Sequence, residues 1–177
     1  MTPKEAYEHA DKYGPSEETR EIVYQDYVYA YYYAKDVDKC PREDTREAAC
    51  KVSNYAYKYA LDVDKCPRED TRETACKDSL YAYYYAKEVD KCPMEDTREA
   101  TYKSLYYAYL YAKDVDKKPR KDTREAACEN SHFAYLYMRD IDKGPTEDTW
   151  LAVKGSKYEE EYKEMFNELI CENPYFP

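Results

Sequence analysis

The chain has 177 residues with a formal net charge of −10, and Leu, Ile, Val and Phe together supply only 21 of them. That shortage with high charge is the composition of a disordered chain, but 25 Tyr and 18 Ala lift the apolar fraction to 43% and permit an aromatic core. No apolar run approaches the 18 residues of a membrane span and the start lacks the apolar stretch of a secretory leader, so a soluble, cytoplasmic chain is expected. The negative charge argues against coating a nucleic acid backbone and favours a basic protein partner.

Residues 2 to 26 read as a degenerate first repeat, a capping unit in which Ala6, Tyr7 and Ala10 stand two residues closer to the following proline than their later equivalents. From there a 26-residue period governs the chain. Prolines recur at 15, 41, 67, 93, 119 and 145, each followed by an acid, Thr and Arg, as in Asp44-Thr45-Arg46, until Asp148-Thr149-Trp150 ends the series. Before each of the last five prolines come a Tyr-Ala-Tyr stretch, with Phe133 replacing the first Tyr in the last, and an Asp-x-Asp-Lys turn, with Glu88 replacing the first Asp once.

Each repeat between 27 and 156 is predicted to hold two short helices. The first starts at a serine suited to an N-cap (Ser53, Ser79, Ser131) and runs to the acidic turn. The second is opened by the proline, with acids in its first turn. Projected at 100° per residue, the first helix buries the columns starting at Tyr29, Ala30, Tyr33, Ala34 and Val37, each recurring every 26 residues. The second buries Thr45, Ala48, Ala49 and their equivalents, so large rings meet small residues. Residues 157 to 177 close the array with a capping helix whose apolar stripe includes Tyr158, Tyr162, Met165, Phe166, Leu169 and Ile170. The fold expected is all-α, a solenoid of two-helix repeats with a C-terminal capping helix.

Units such as Ser79 to Val89, followed by Pro93, an acidic turn and a short helix, resemble the YAxxYAxxV…P helical repeats of uncharacterised phage and bacterial proteins. The resemblance implies a viral setting, where small acidic non-enzymatic proteins bind and inhibit a host defence component. The host cytoplasm would then be the location.

Two sets of columns are candidates for function. Tyr31, Tyr57, Tyr83, Tyr109 and Tyr135 project to the margin of the buried face. They either anchor a protein partner or stack a planar ligand, or pack between successive repeats with the hydroxyl in water. Arg46, Arg72, Arg98 and Arg124, preceded by Arg20, either clamp phosphates as part of a nucleotide sponge or bridge to the Asp-x-Asp turns.

The segment Asp36 to Glu47 imitates a calcium loop but has Cys40 and Pro41 where an oxygen ligand and a glycine are required, so no metal is expected. The seven cysteines form no CxxC or Cys/His cluster and are read as reduced packing residues. With two histidines and near-identical acid pairs in every repeat, the chain offers no single asymmetric catalytic constellation. No enzyme activity or cofactor is expected.

The leading expectation is therefore a non-enzymatic binding protein, an inhibitor or adaptor with an acidic, Tyr-rich surface that imitates nucleic acid charge. The alternative is the nucleotide sponge.

Overall fold

In the computed structural model, which describes residues 1–165, every regular element is helical. The fold is an all-α solenoid of two-helix repeats. Residues Phe166, Leu169 and Ile170 of the expected cap, and Cys171, lie outside the described residues. The chain divides into two compact units, Met1–Ala100 and Thr101–Pro177.

The first unit contains α1 (Pro3–Tyr13), α2 (Glu17–Val23), α3 (Tyr27–Tyr32), α4 (Glu43–Ala49), α5 (Ser53–Tyr59), α6 (Glu69–Ala75), α7 (Ser79–Tyr84) and α8 (Glu95–Thr101), which ends at the division. Here α1 packs on α2, α3 on α4 and α5 on α6, while α1, α3, α5 and α7 stack in series. The second unit contains α9 (Leu105–Tyr111), α10 (Lys121–Cys128), α11 (Ser131–Tyr137), α12 (Glu147–Val153) and the capping helix α13 (Glu159–Met165). Within it α9 packs on α10 and α11 on α12, and each pair stacks on the next.

The first helix of each internal repeat does not end where its α-helical bonding ends. It widens into a π-helical turn, Tyr33–Asp38, Ala60–Asp64, Tyr85–Asp90, Ala112–Asp116 and Met138–Asp142. Each turn stops at a lysine in the left-handed region, Lys39, Lys65, Lys91, Lys117 and Lys143, with φ between 53° and 57°. Five copies of an element usually seen singly show that the widened turn belongs to the repeat.

The core follows the ring-on-small-residue pattern. Tyr33, Tyr59, Tyr85, Tyr111 and Tyr137 are all fully buried. Tyr59 sits among Tyr31, Ala34, Ala49 and Val63, and Tyr137 among Tyr109, Ala112, Ala127 and Ile141. Burial of each large side chain is worth about 1.5–3 kcal/mol. Helices of six to eight residues, marginal alone, are thus held by their neighbours.

Three local expectations are corrected. Pro41 is not the first helical residue: α4 starts at Glu43 with Arg42 as N-cap. The Arg42 N–H donates to the Tyr59 hydroxyl at 3.0 Å, and a proline at that position would have no N–H to give. Ser53, Ser79 and Ser131 are first helical residues, behind N-caps Val52, Asp78 and Asn130. The Ser53 and Ser79 hydroxyls donate instead to the Thr74 and Ala100 carbonyls of the following second helices, at 2.9 and 2.8 Å.

Lastly, the Tyr29 and Tyr31 columns exchange roles. Tyr29, Tyr55, Tyr81, Tyr107 and Phe133 are only half-buried, whereas Tyr31, Tyr83, Tyr109 and Tyr135 are at most 5% exposed. A residue in a π turn advances by less than 100°, so a projection that carries Val37 at the α-helical angle rotates the inferred face. A stacked helix is also covered on a second side by its successor: the Tyr31 ring meets the Tyr55 ring edge-on at 5.7 Å.

Candidate functional site

The Asp-x-Asp turn receives two groups from the preceding repeat. Its first acid accepts from a tyrosine hydroxyl: Tyr7 to Asp36 at 3.2 Å, Tyr31 to Asp62, Tyr57 to Glu88 at 2.5 Å and, in the second unit, Tyr109 to Asp140. Its second acid accepts from the arginine column: Arg20 to Asp38 at 2.8 Å, Arg46 to Asp64 at 3.2 Å, Arg72 to Asp90 at 3.1 Å and Arg124 to Asp142 at 2.6 Å. These second acids have side chains no more than 3% exposed. Tyr135 continues the pattern into the cap by donating to Glu161 at 2.6 Å.

The turn is therefore a two-pronged socket, and both candidate columns are its plugs. The Tyr31 column packs between repeats, with the hydroxyls of Tyr31, Tyr57, Tyr109 and Tyr135 on carboxylates instead of in water. Of its members only Tyr57 is half-buried, and Tyr83, 3% exposed, also accepts from Lys87 at 2.8 Å. An exposed ladder that could stack a ligand is not formed. Arg46 and Arg98 are each 7% exposed, and Arg46 reaches a second carboxylate, Asp70, at 2.9 Å.

The electrostatics follow from burial against pairing. Desolvation pushes the Asp64, Asp90 and Asp142 carboxyls above their ordinary value despite the adjacent guanidinium groups. One oxygen of each of Asp38, Asp64 and Asp90 lacks a hydrogen-bond partner, whereas Arg124 serves both oxygens of Asp142. At the more exposed Asp62, burial is outweighed by hydrogen bonds from Lys35 and Tyr31, and its carboxyl titrates low. Burial together with the Asp62 contact raises Tyr31 to about 12, so the hydroxyl stays protonated and is no nucleophile or base at neutral pH.

The aspartates of the calcium-like segment are likewise engaged, since Asp36 accepts from Tyr7, Asp38 from Arg20, and Asp44 from Tyr24 and Arg42. Cys40, Cys50, Cys66, Cys76, Cys92 and Cys128 are free thiols, and burial raises Cys50 and Cys128 to about 12. Among the described residues no group of three or more acid, His or Cys side chains is gathered to hold a metal ion. No described helix is long and apolar enough to cross a membrane.

The glutamates on the second helices are differently placed. Glu43 and Glu47 on α4, and Glu69 and Glu73 on α6, are exposed and form no ion pair, although nearly every aspartate of the same repeats is tied to Tyr, Lys or Arg. The sequence alone marked Glu43 and Glu69 as first-turn acids and Glu47 as the last acid of the calcium-like segment. The signal available was their recurrence at 26, with the lysines at i+4 from Glu47 and Glu73, Lys51 and Lys77, falling beyond the helix ends at Ala49 and Ala75.

Comparison with protein families, with curated proteins and with solved structures finds no match to this chain.

Proposed function

We propose that the chain is a non-enzymatic binding protein, an inhibitor or adaptor that engages a basic protein surface through the glutamate face of its second helices. The observation that carries the reading is the contrast between spent and unspent acids. The aspartates are consumed in holding repeat to repeat, while Glu43, Glu47, Glu69 and Glu73 point two like charges per helix into solvent and meet no internal cation. Like charges at i and i+4 cost helix stability, and their repetition makes sense as displayed charge. In the phage-like setting that the repeats suggest, the partner is a host defence protein whose basic, nucleic-acid-binding channel such a row would occupy. The sponge reading is less favoured, because Arg46, Arg72 and Arg124 of the column it needs are engaged by buried carboxylates.

The test is a quadruple variant, Glu43→Gln, Glu47→Gln, Glu69→Gln and Glu73→Gln, compared with wild type for partners retained from host lysate. The variant should keep its fold, since the like-charge repulsion removed offsets the helix-dipole contribution lost at Glu43 and Glu69. Its retained basic partner should be lost, and the wild-type association rate should fall steeply with added salt. An affinity equal at low and high ionic strength, or equal for the two proteins, overturns the proposal.

A further inference from the structure

The repeats serve as their own alignment. Columns used inside the fold hardly vary: Tyr33, Tyr59, Tyr85, Tyr111 and Tyr137 are one residue type, as are Asp38, Asp64, Asp90, Asp116 and Asp142. Three columns on the first helices vary freely. In the first unit they read Val28, Asn54, Leu80; Tyr32, Lys58, Tyr84; and Lys35, Leu61, Lys87. They lie at i, i+4 and i+7 on α3, α5 and α7 and their π turns, hence on one face of each, and every one is half-buried or exposed. Apart from the cap positions at the start of each helix, such as Asp26, Val52 and Asp78, this outward stripe is where the first helices vary, and a scaffold that keeps its internal columns and varies such a stripe is suited to recognise something with it.

The chemistry of the stripe runs against that of the whole chain. None of its nine positions is acidic, in a chain of net charge −10. Aromatic, aliphatic and cationic groups alternate. Tyr32 is 38% exposed and its ring is braced by Tyr31 at 5.1 Å and Tyr7 at 6.1 Å. Tyr84 is braced by Tyr83 at 5.1 Å and Tyr57 at 6.0 Å. Rings held by buried neighbours are pre-organised anchors, which lose little entropy on binding. Lys58 lies 5.0 Å above the Tyr55 ring and forms no ion pair, so its charge is on offer. The second unit repeats the residue types, with Tyr106, Leu110 and Lys113 on one repeat and His132, Leu136 and Arg139 on the next, although there both cations pair with Asp140.

We propose that this stripe is a second binding surface whose partner is an acidic peptide segment bearing apolar side chains, docked across the first helices of consecutive repeats. Apolar anchors around the charge of Lys58 suit a short segment with few acids better than a phosphate backbone, because Lys35 is already met by Asp62 at 2.7 Å and the field of the chain opposes a densely charged polyanion more strongly than a lightly charged peptide. The stripe and the glutamate face then make an adaptor with two surfaces of opposite preference, and the stripe stands even if the glutamate face binds nothing.

The test selects from a random peptide display library, and in parallel from a random single-stranded DNA pool, on the immobilised full chain. Peptides with net negative charge and aromatic or aliphatic residues should be enriched. Their affinity should fall about tenfold or more in a Tyr32→Ser, Lys58→Glu, Tyr84→Ser variant and stay unchanged in the four-glutamine variant of the second helices. Lys58→Glu alone, an exchange outside every ion pair, should weaken them in the same direction and serves should the triple variant not fold. Enrichment of cationic peptides, enrichment of DNA alone, or peptides indifferent to Lys58→Glu overturns the proposal.

Discussion

The internal and terminal second helices solve the same problem in different ways. At each N-terminus the N-cap N–H needs an acceptor. In α2 and α12 the answer is local: Ser16 and Thr146 form capping boxes with Thr19 and Thr149, whose hydroxyls accept from the N-cap N–H at 3.1 and 3.2 Å. In α4, α6 and α10 the N-cap is an arginine with no capping side chain, and the N–H of Arg42, Arg68 or Arg120 donates to a tyrosine hydroxyl of the next repeat, Tyr59, Tyr85 or Tyr137. The same hydroxyl lies 2.8 Å from the threonine of that helix. The side chain that follows the threonine differs in parallel. Arg46, Arg72 and Arg124 reach forward to a carboxylate, whereas the last repeat, with no further acidic turn to reach, has Trp150, packed on Tyr162 of the cap at 5.7 Å. At the N-cap N–H the internal helices are completed by a neighbour and the terminal ones complete themselves, while a tyrosine hydroxyl meets the threonine in both kinds, Tyr33 on Thr19 at 2.8 Å and Tyr162 on Thr149 at 2.9 Å, so cooperativity is wired through tyrosine.

The broadest way to break that wiring is alkali. Burial raises Tyr59, Tyr85 and Tyr137, and raises Tyr162 to about 12, against an unfolded value of about 10. The folded state therefore holds protons that the unfolded state has released. The stabilisation is complete below about pH 10 and is lost as pH rises through the folded values. Tyrosinate absorbance and helical circular dichroism should change together in one steep transition above pH 10. A gradual titration of all the tyrosines near pH 10, with the helix signal intact, contradicts the wiring.

A sharper test separates the two kinds of helix. Tyr59→Phe leaves the Arg42 N–H without its acceptor and the Thr45 hydroxyl with only the Arg42 carbonyl, at 3.3 Å, and should cost about 2 kcal/mol in urea unfolding. Tyr33→Phe, facing α2 with its own box, should cost about 1 kcal/mol, because Thr19 keeps Ser16 as partner. Giving α4 the terminal solution by Arg42→Ser should recover part of the Tyr59→Phe loss, a non-additivity visible in a double-mutant cycle. Equal costs at 33 and 59 would show that the two kinds of helix do not differ.

Much of this was legible in the sequence, and what was not has physical causes. The period placed two helices in each repeat. Thr45, Ala48 and Ala49 stood out as the buried stripe because a short helix with one buried face obeys a 100° projection. The pairing of Arg46 with an acidic turn could be foreseen from charge register. The exchange of the Tyr29 and Tyr31 columns could not, because nothing in Tyr-Ala-Lys-Asp-Val-Asp announces a switch from i−4 to i−5 bonding. Pro41 and Ser53 were misplaced for one reason: the group that completes each helix end lies some 17 to 21 residues away, in another repeat, beyond any local capping rule. The stripe of residues 28, 32 and 35 was readable as variation between repeats, but recognising it required knowing that the invariant tyrosines point inward.

The smallest expected effect concerns how the first helices end. Helix α1 ends conventionally, on Gly14 with φ of 94°, while the internal first helices end on lysines held at φ of 53° to 57°. A side chain in the left-handed region carries a steric cost that glycine does not. Against that, lysine places a positive charge at the negative end of the helix dipole and restricts the unfolded chain more than glycine would. At Lys65, exposed and in no ion pair, relief of strain should slightly exceed these two losses. Lys65→Gly is expected to stabilise by a few tenths of a kcal/mol and at most about 1 kcal/mol. A loss of more than about 1 kcal/mol in urea unfolding would instead mean that the charge at the turn outweighs the strain. The lysines would then belong, with the tyrosines and arginines, to what couples one repeat to the next.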